Sequence, residues 1–142
     1  MRIALGLAQQ AEAQGEVPVG AVVVHDGEVI GKGWNQTITS SDPTAHAEMQ
    51  ALRDAGANLG NYRLRGCDLY VTLEPCPMCA GALVHARLRR LVFGAFDPKT
   101  GAAGSVFSLL PGNRHNHRVE VHGGCLEADC GSQLRAFFRA RR

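Results

Sequence analysis

The chain has 142 residues, of which 45% are apolar and 20% charged. This length fits one domain, residues 1–142, and excludes two sizeable ones; the composition excludes intrinsic disorder and any apolar run near the ~20 residues of a membrane span. The net charge of +2 conceals an Arg-rich end, with six Arg between Arg114 and Arg142 against Glu120, Glu127 and Asp129.

Ile3, Leu7 and Ala11 recur at helical spacing, so residues 2–14 read as a helix. Gln9, Gln10, Glu12 and Gln14 interrupt its apolar residues, unlike a signal peptide. The expectation is a soluble, cytoplasmic protein with no membrane segment. Val17–Val24 is rich in β-branched residues, His25-Asp26-Gly27 carries a turn signal, and Glu28–Trp34 returns as a second strand. Asp42-Pro43-Thr44 offers a helix start before Ala45–Ala57. Asp68–Leu73 is an apolar strand stopped by Pro75, and Cys76–Arg87 reads as a helix. Leu91–Phe93 is a short strand and Asp97–Ser105 a loop. Ser105–Leu110 reads as a short helix, Arg118–His122 as a last strand and Leu126–Arg141 as a closing helix. A hairpin followed by helix-separated strands implies an α/β architecture, a mixed sheet with helices on both faces.

Five cysteines, an odd number, argue against a disulfide framework. Cys76 and Cys79 form a C-x-x-C at a strand-to-helix junction, where the positive helix end stabilises thiolates. Thr44-Ala45-His46-Ala47-Glu48 enters another helix. Two thiolates and one neutral imidazole make a net-neutral site for Zn²⁺. Three protein ligands leave the fourth position open, as in a catalytic zinc. Water there is acidified, and Glu48 is the candidate to take its proton. Three duller readings compete. His-x-Glu at a helix start arises by chance. C-x-x-C after a strand also suits a redox pair. Cys67, Cys125, Cys130 or His85 could close a structural zinc as fourth ligand.

The pattern H-x-E…P-C-x-x-C is the signature of zinc nucleobase deaminases. His46-Ala47-Glu48 and Pro75-Cys76-Pro77-Met78-Cys79 match it. The stretches Glu16 to Val22, Gly33-Trp34-Asn35, Asn61 to Leu64, Lys99 to Ser105, Asn116 to Glu120 and Phe137-Phe138-Arg139 extend the likeness along nearly the whole chain. It resembles the bacterial tRNA-specific adenosine deaminases within the cytidine deaminase superfamily.

The resemblance implies a three-layer α/β/α cytidine-deaminase-like fold, a five-stranded mixed sheet flanked by helices, working as a homodimer. It implies one Zn²⁺ per subunit, held by His46, Cys76 and Cys79. Zinc-activated water would attack C6 of the wobble adenosine in the anticodon of an arginine tRNA, with Glu48 as the proton shuttle, giving inosine and ammonia. Asn35 would hydrogen-bond the flipped base, with Val19 and the Ala47 backbone completing the pocket. Asp97 and Lys99 would hold flanking nucleotides, Asp97 through a ribose 2′-OH. Phe137 and Arg139 would meet the anticodon loop by stacking and charge, although adjacent helix positions diverge and at most one of Phe137 and Phe138 would face RNA. Turn chemistry is the plain alternative for Asn35 and Asp97, and core packing for Phe137. Phe96-Asp97-Pro98 departs from the Arg-Asp-Ala expected of close relatives, exchanging a cation for a ring.

Two other functions fit less well. A zinc deaminase of a free base or nucleoside (guanine, cytosine or cytidine) has no need of a basic, aromatic C-terminal helix. A silent partner subunit or zinc-stabilised RNA-binding module has no need of Glu48.

Overall fold

The structure, a computed structural model, describes residues 1–110 and 114–142. Helix α1 (Arg2–Ala13) buries Ala4, Leu7, Ala8 and Ala11 along one stripe and leaves Ile3 exposed. Strand β1 (Gly20–His25) starts later than its β-branched run suggests. Pro18 has no N–H for a ladder, and the Val19 N–H turns back to the Val17 carbonyl. Asp26 and Gly27 take φ of 50° and 78°, the geometry of a tight hairpin turn. The chain returns as β2 (Glu28–Trp34), with a bulge at Val23/Val24.

Helix α2 (Ala47–Leu59) leads to β3 (Cys67–Leu73), then α3 (Pro77–His85), β4 (Arg90–Ala95), β5 (Glu120–His122) and α4 (Glu127–Arg139). The sheet order is β2-β1-β3-β4-β5. Strand β1 runs antiparallel to β2 and β3, whereas β3, β4 and β5 are parallel. The expected five-stranded mixed sheet is therefore present. The segment Ser105–Leu110 is not the expected helix. Ala103 instead bridges Ser108, and the Ala102 carbonyl accepts from the N–H groups of Leu109 and Leu110.

Side-chain alternation sorts the helices onto two faces. Ala21, Val23, Leu69, Val71, Leu91 and Phe93 form one core with Ala47, Ala51 and Ala55 of α2 and Ala80, Leu83 and Val84 of α3. On the other face, a Cβ on Gly20 would strike α1 at Ala4 and Ala8, and one on Gly94 would strike Cys130 of α4. Gly31 and Gly33 lie directly under α2. A Cβ on Gly33 would stand 2.2 Å from the Ala47 carbonyl oxygen. Bare backbone in β2 thus seats the N-terminal end of α2 against the sheet.

One buried charge ties β3 to β4. Asp68 is 3% exposed. It accepts from Nε and Nη2 of Arg89 at 2.9 and 2.8 Å and from Arg90 Nη2 at 2.7 Å. Burial pushes its carboxyl pKa up, but the hydrogen bonds from Arg89 and Arg90 outweigh it and hold it below the usual value.

Candidate active site

Two helix N-termini converge on one point. His46 is the N-cap of α2 and Cys76 the N-cap of α3, and neither side chain caps its own helix. Both side chains are thereby left for another task. Pro77 at the first position of α3 has no N–H to leave unpaired, and its fixed φ suits the helix start. At α2, Asn35 supplies the missing cap from the end of β2: its Oδ1 accepts the Ala47 N–H at 2.8 Å.

His46 Nδ1 lies 3.6 Å from Cys76 Sγ and 3.5 Å from Cys79 Sγ. All three donor atoms fall within 4.8 Å of one another. A tetrahedral zinc with Zn–S of about 2.3 Å and Zn–N of about 2.0 Å separates N from S by about 3.5 Å. The donor set fits that ion in element and spacing. Among the described residues no fourth His, Cys, Asp or Glu joins the cluster, so Cys67, Cys125, Cys130 and His85 do not close it. The imidazole against both sulfurs is also a feature that a dithiol redox pair does not require.

The thiols are unlike. A hydrogen bond from the Cys79 thiol lowers the Cys76 pKa to about 4, helped by His46. The Cys79 thiol is pushed well up by donating to Cys76 and by burial. The hydrogen bond to Cys76 raises the His46 pKa. Glu48 is 4% exposed. Burial lifts its carboxyl to about 7, a value suited to moving protons near neutrality.

These groups line a cleft of about 210 Å³ that includes Val19, Asn35, His46, Glu48, Cys76 and Asp97. The structure thus brings together most of the residues singled out in the sequence. Cys79 lies beneath the cleft, fully buried. Asn35 has its Oδ1 committed to Ala47 and lines the cleft. Ala47 is different from expectation, because its N–H is already taken by Asn35 and is not left for a base. Asp97 lines the cleft but caps its own turn, accepting from the N–H groups of Lys99 and Thr100 and from the Thr100 hydroxyl.

Lys99 and Arg139 lie outside this cleft. They line an adjoining groove of about 570 Å³ with Arg135, Phe138, Arg141 and Arg142. Phe137 corrects the sequence reading: it is 3% exposed, packed in the core, with the Arg141 guanidinium 3.4 Å above its ring. Phe138, at 49% exposure, is the aromatic that faces the groove. A third hollow, lined by Phe96, Pro98 and Leu134, joins the two. It shares Val17, Leu73, Asp97 and Thr100 with the cleft, and Lys99, Arg135 and Phe138 with the groove.

Sequence reasoning gave no role to two buried carboxylates. Glu16 is 1% exposed and accepts from Thr37, Ile38 and Thr39 in the turn after β2. Burial raises its pKa, but the hydrogen bonds from Thr39, Thr37 and Ile38 together lower it further. Glu74 is 2% exposed and holds the loop after β4. Glu16 lies in the connection from α1 to β1 and Glu74 just after β3, and in sequence each looks the same as a solvated residue.

Residues 1–95 match the family described as the cytidine and deoxycytidylate deaminase zinc-binding region. The chain belongs to the cytidine and deoxycytidylate deaminase family. It is 57% identical to the tRNA-specific adenosine deaminase of Haemophilus influenzae, covering 100% of this chain and 83% of that one. It is 51% identical to the enzyme of the same name from Bacillus subtilis, over 100% of this chain and 88% of that one. A solved structure from work on A-to-I editing by tRNA:A34 deaminases at the wobble position superposes with a TM-score of 0.91 at 46% identity, covering 94% of this chain and 97% of that one. The guanine deaminase structure from Bacillus subtilis gives a TM-score of 0.65 at 44% identity, over 75% of this chain and 67% of that one. This member of the family is an enzyme, and its His46, Cys76 and Cys79 are placed to bind a metal.

Proposed function

We propose that this deaminase converts adenosine to inosine at the wobble position of a tRNA anticodon, with an arginine tRNA as the expected substrate. The observation that carries the reading is the joined path from the cleft at Glu48 to the Arg-lined groove. A free base needs only the first part of that path. A flipped nucleotide with its neighbours needs all of it.

His46 Nδ1 and the sulfurs of Cys76 and Cys79 would hold one zinc per chain, which when bound would supply a water acidified toward neutral pH. Overall, water and the 6-amino group of adenine exchange: C6 gains a C=O and ammonia departs. Glu48, with a pKa of about 7, carries the first proton of the attacking water to the ring nitrogen and then the second, from the new C6 hydroxyl, to the leaving amine, so both protons of the water are accounted for. Asn35 offers Nδ2 donors to an acceptor on the purine edge, held in that orientation by Ala47. Val19 walls the ring. Lys99, Arg135 and Arg139 neutralise backbone phosphates, and Phe138 offers a ring for stacking. The same reading holds the chain to be a single-domain cytoplasmic homodimer. No helix among the described residues is long and apolar enough to cross a membrane.

The test is inosine formation in a synthetic arginine-tRNA anticodon stem-loop, with and without a zinc chelator. Chelator-sensitive inosine at the wobble base supports the reading, and Glu48→Ala should keep zinc while losing turnover. The likeness to a guanine deaminase favours one rival, a free-base substrate. Equal or faster deamination of free guanine or cytidine would establish that rival instead.

A further inference from the structure

We infer that Glu74 is a positioning residue for substrate binding, because it fixes the loop that forms the far wall of the cleft and the floor of the path leading out of it. The inference rests on the polynucleotide reading above. Glu74 directly follows β3 and begins the connection to Cys76, and its own N–H donates to the Ala95 carbonyl at the end of β4. Its side chain enters the loop from beneath. Oε2 accepts the Asp97 N–H at 2.9 Å and the Ser105 hydroxyl. Oε1 accepts the N–H groups of Ala103 at 3.0 Å and Ser105 at 3.1 Å. One carboxylate thus holds both ends of a nine-residue excursion, residues 97–105.

The middle of the loop is fitted to the same group. A Cβ on Gly101 would stand 2.4 Å from Glu74 Cδ and Oε2. The neighbouring Ala102 N–H donates to the Pro75 carbonyl at 2.8 Å. What this loop presents is Asp97 and Thr100 to the cleft and Lys99 to the basic groove. With four donors on its two oxygens, Glu74 has its acceptor capacity spent on the loop. Its role is therefore to place Asp97, Lys99 and Thr100, not to touch the base.

Glutamine cannot stand in for it. Each carboxylate oxygen accepts at least one backbone N–H, and a carboxamide offers one oxygen and one donor group. Either orientation of Glu74→Gln sets an NH₂ against a half-buried N–H. One such unpaired amide costs about 1–3 kcal/mol. The loop then leaves its seat, while His46, Glu48, Cys76 and Cys79, which sit on α2 and α3, stay in place.

The experiment compares wild type, Glu74→Gln and Ser105→Ala on the anticodon stem-loop. Ser105→Ala removes one donor on an exposed residue and leaves the fold intact. Glu74→Gln should raise KM about tenfold or more with kcat within about threefold, and Ser105→Ala should raise KM about two- to fivefold. Both should retain the zinc content of wild type. Amide exchange at Asp97, Ala103 and Ser105 should quicken about tenfold or more in Glu74→Gln. Unchanged KM in Ser105→Ala and Glu74→Gln overturns the inference while leaving the functional reading intact, as does loss of kcat at constant KM or loss of zinc. If Glu74→Gln does not fold, Ser105→Ala decides alone, and unchanged KM in it overturns the inference. Wild type that forms no inosine overturns the functional reading, and this inference with it.

Discussion

Gly33→Ala tests whether the sheet seats the catalytic helix. The new methyl would stand 2.2 Å from the Ala47 carbonyl oxygen and 2.5 Å from the Ala51 amide nitrogen. Both are backbone atoms and cannot rotate away, so β2 and the start of α2 must part by about 1 Å or more to reach ordinary contact. Overpacking of this kind costs about 1–3 kcal/mol. The functional cost should be larger. Ala47 lies between His46 and Glu48, so the same shift displaces a residue placed to bind a metal and the proposed proton-transfer group together. A displacement of about 1 Å in such a group costs about 10²-fold in rate. Gly31→Ala is the control. Its methyl would meet the Ala51 carbonyl oxygen at 2.5 Å and Ala55 at 2.7 Å, one turn further along α2. Guanidinium unfolding, zinc content and single-turnover deamination are measured on both. The two variants should lose similar stability, but Gly33→Ala should lose zinc affinity and rate far more severely. Parallel activity losses, or full activity in a destabilised Gly33→Ala, would refute the seating argument.

Gly6→Ala should stabilise the protein by about 0.5–1 kcal/mol, because Gly6 is exposed within α1 and a Cβ there meets nothing within 4 Å; thermal unfolding reads the change. Asp68→Asn should cost about 2 kcal/mol at neutral pH, since it removes the charge that Arg89 and Arg90 share. The folded-state pKa of Asp68 is lowered, so its contribution is present above the unfolded value of about 3.9 and is lost as pH falls through the folded value. Urea unfolding across pH 2–7 (roughly that range) should therefore show a flatter acid limb for the Asn variant than for wild type.

The metal-binding side of the site was legible because its chemistry is local. His46, Glu48, Cys76 and Cys79 belong to two short motifs, and Pro77 marks the start of α3, whereas α2 begins at Ala47, later than Asp42-Pro43-Thr44 suggests. The hairpin followed from periodicity and from Asp26-Gly27, whereas the strand order β2-β1-β3-β4-β5 is visible only in the structure. What stayed hidden depends on long-range contact. Nothing near Glu16 or Glu74 in the chain shows that each is buried under a loop 21 to 31 residues away. Ser105–Leu110 has a helix-compatible composition, but the Ala102 carbonyl draws its N–H groups into a turn. Ala47 looked available to a substrate until Asn35 arrived from β2 to take its N–H.

Phe137 and Phe138 show the same limit and allow a clean test. Two adjacent aromatics on a helix point about 100° apart, so periodicity predicts one inward and one outward, and only packing decides which. Burial assigns Phe137 to the core at 3% exposure and Phe138 to the groove at 49%. The rings meet edge to face with centroids 5.3 Å apart, so each substitution perturbs the other slightly. Phe137→Ala should destabilise the protein by about 3–5 kcal/mol, because it opens a cavity and removes the surface on which Arg141 rests. Phe138→Ala should leave stability within about 1 kcal/mol and weaken binding of the anticodon stem-loop by about 1–3 kcal/mol, the range for one lost base–aromatic stack. Denaturant unfolding and stem-loop titration separate the two effects. The assignment fails if Phe137→Ala weakens RNA binding without loss of stability, or if Phe138→Ala unfolds the protein and the RNA affinity of its folded fraction equals that of wild type.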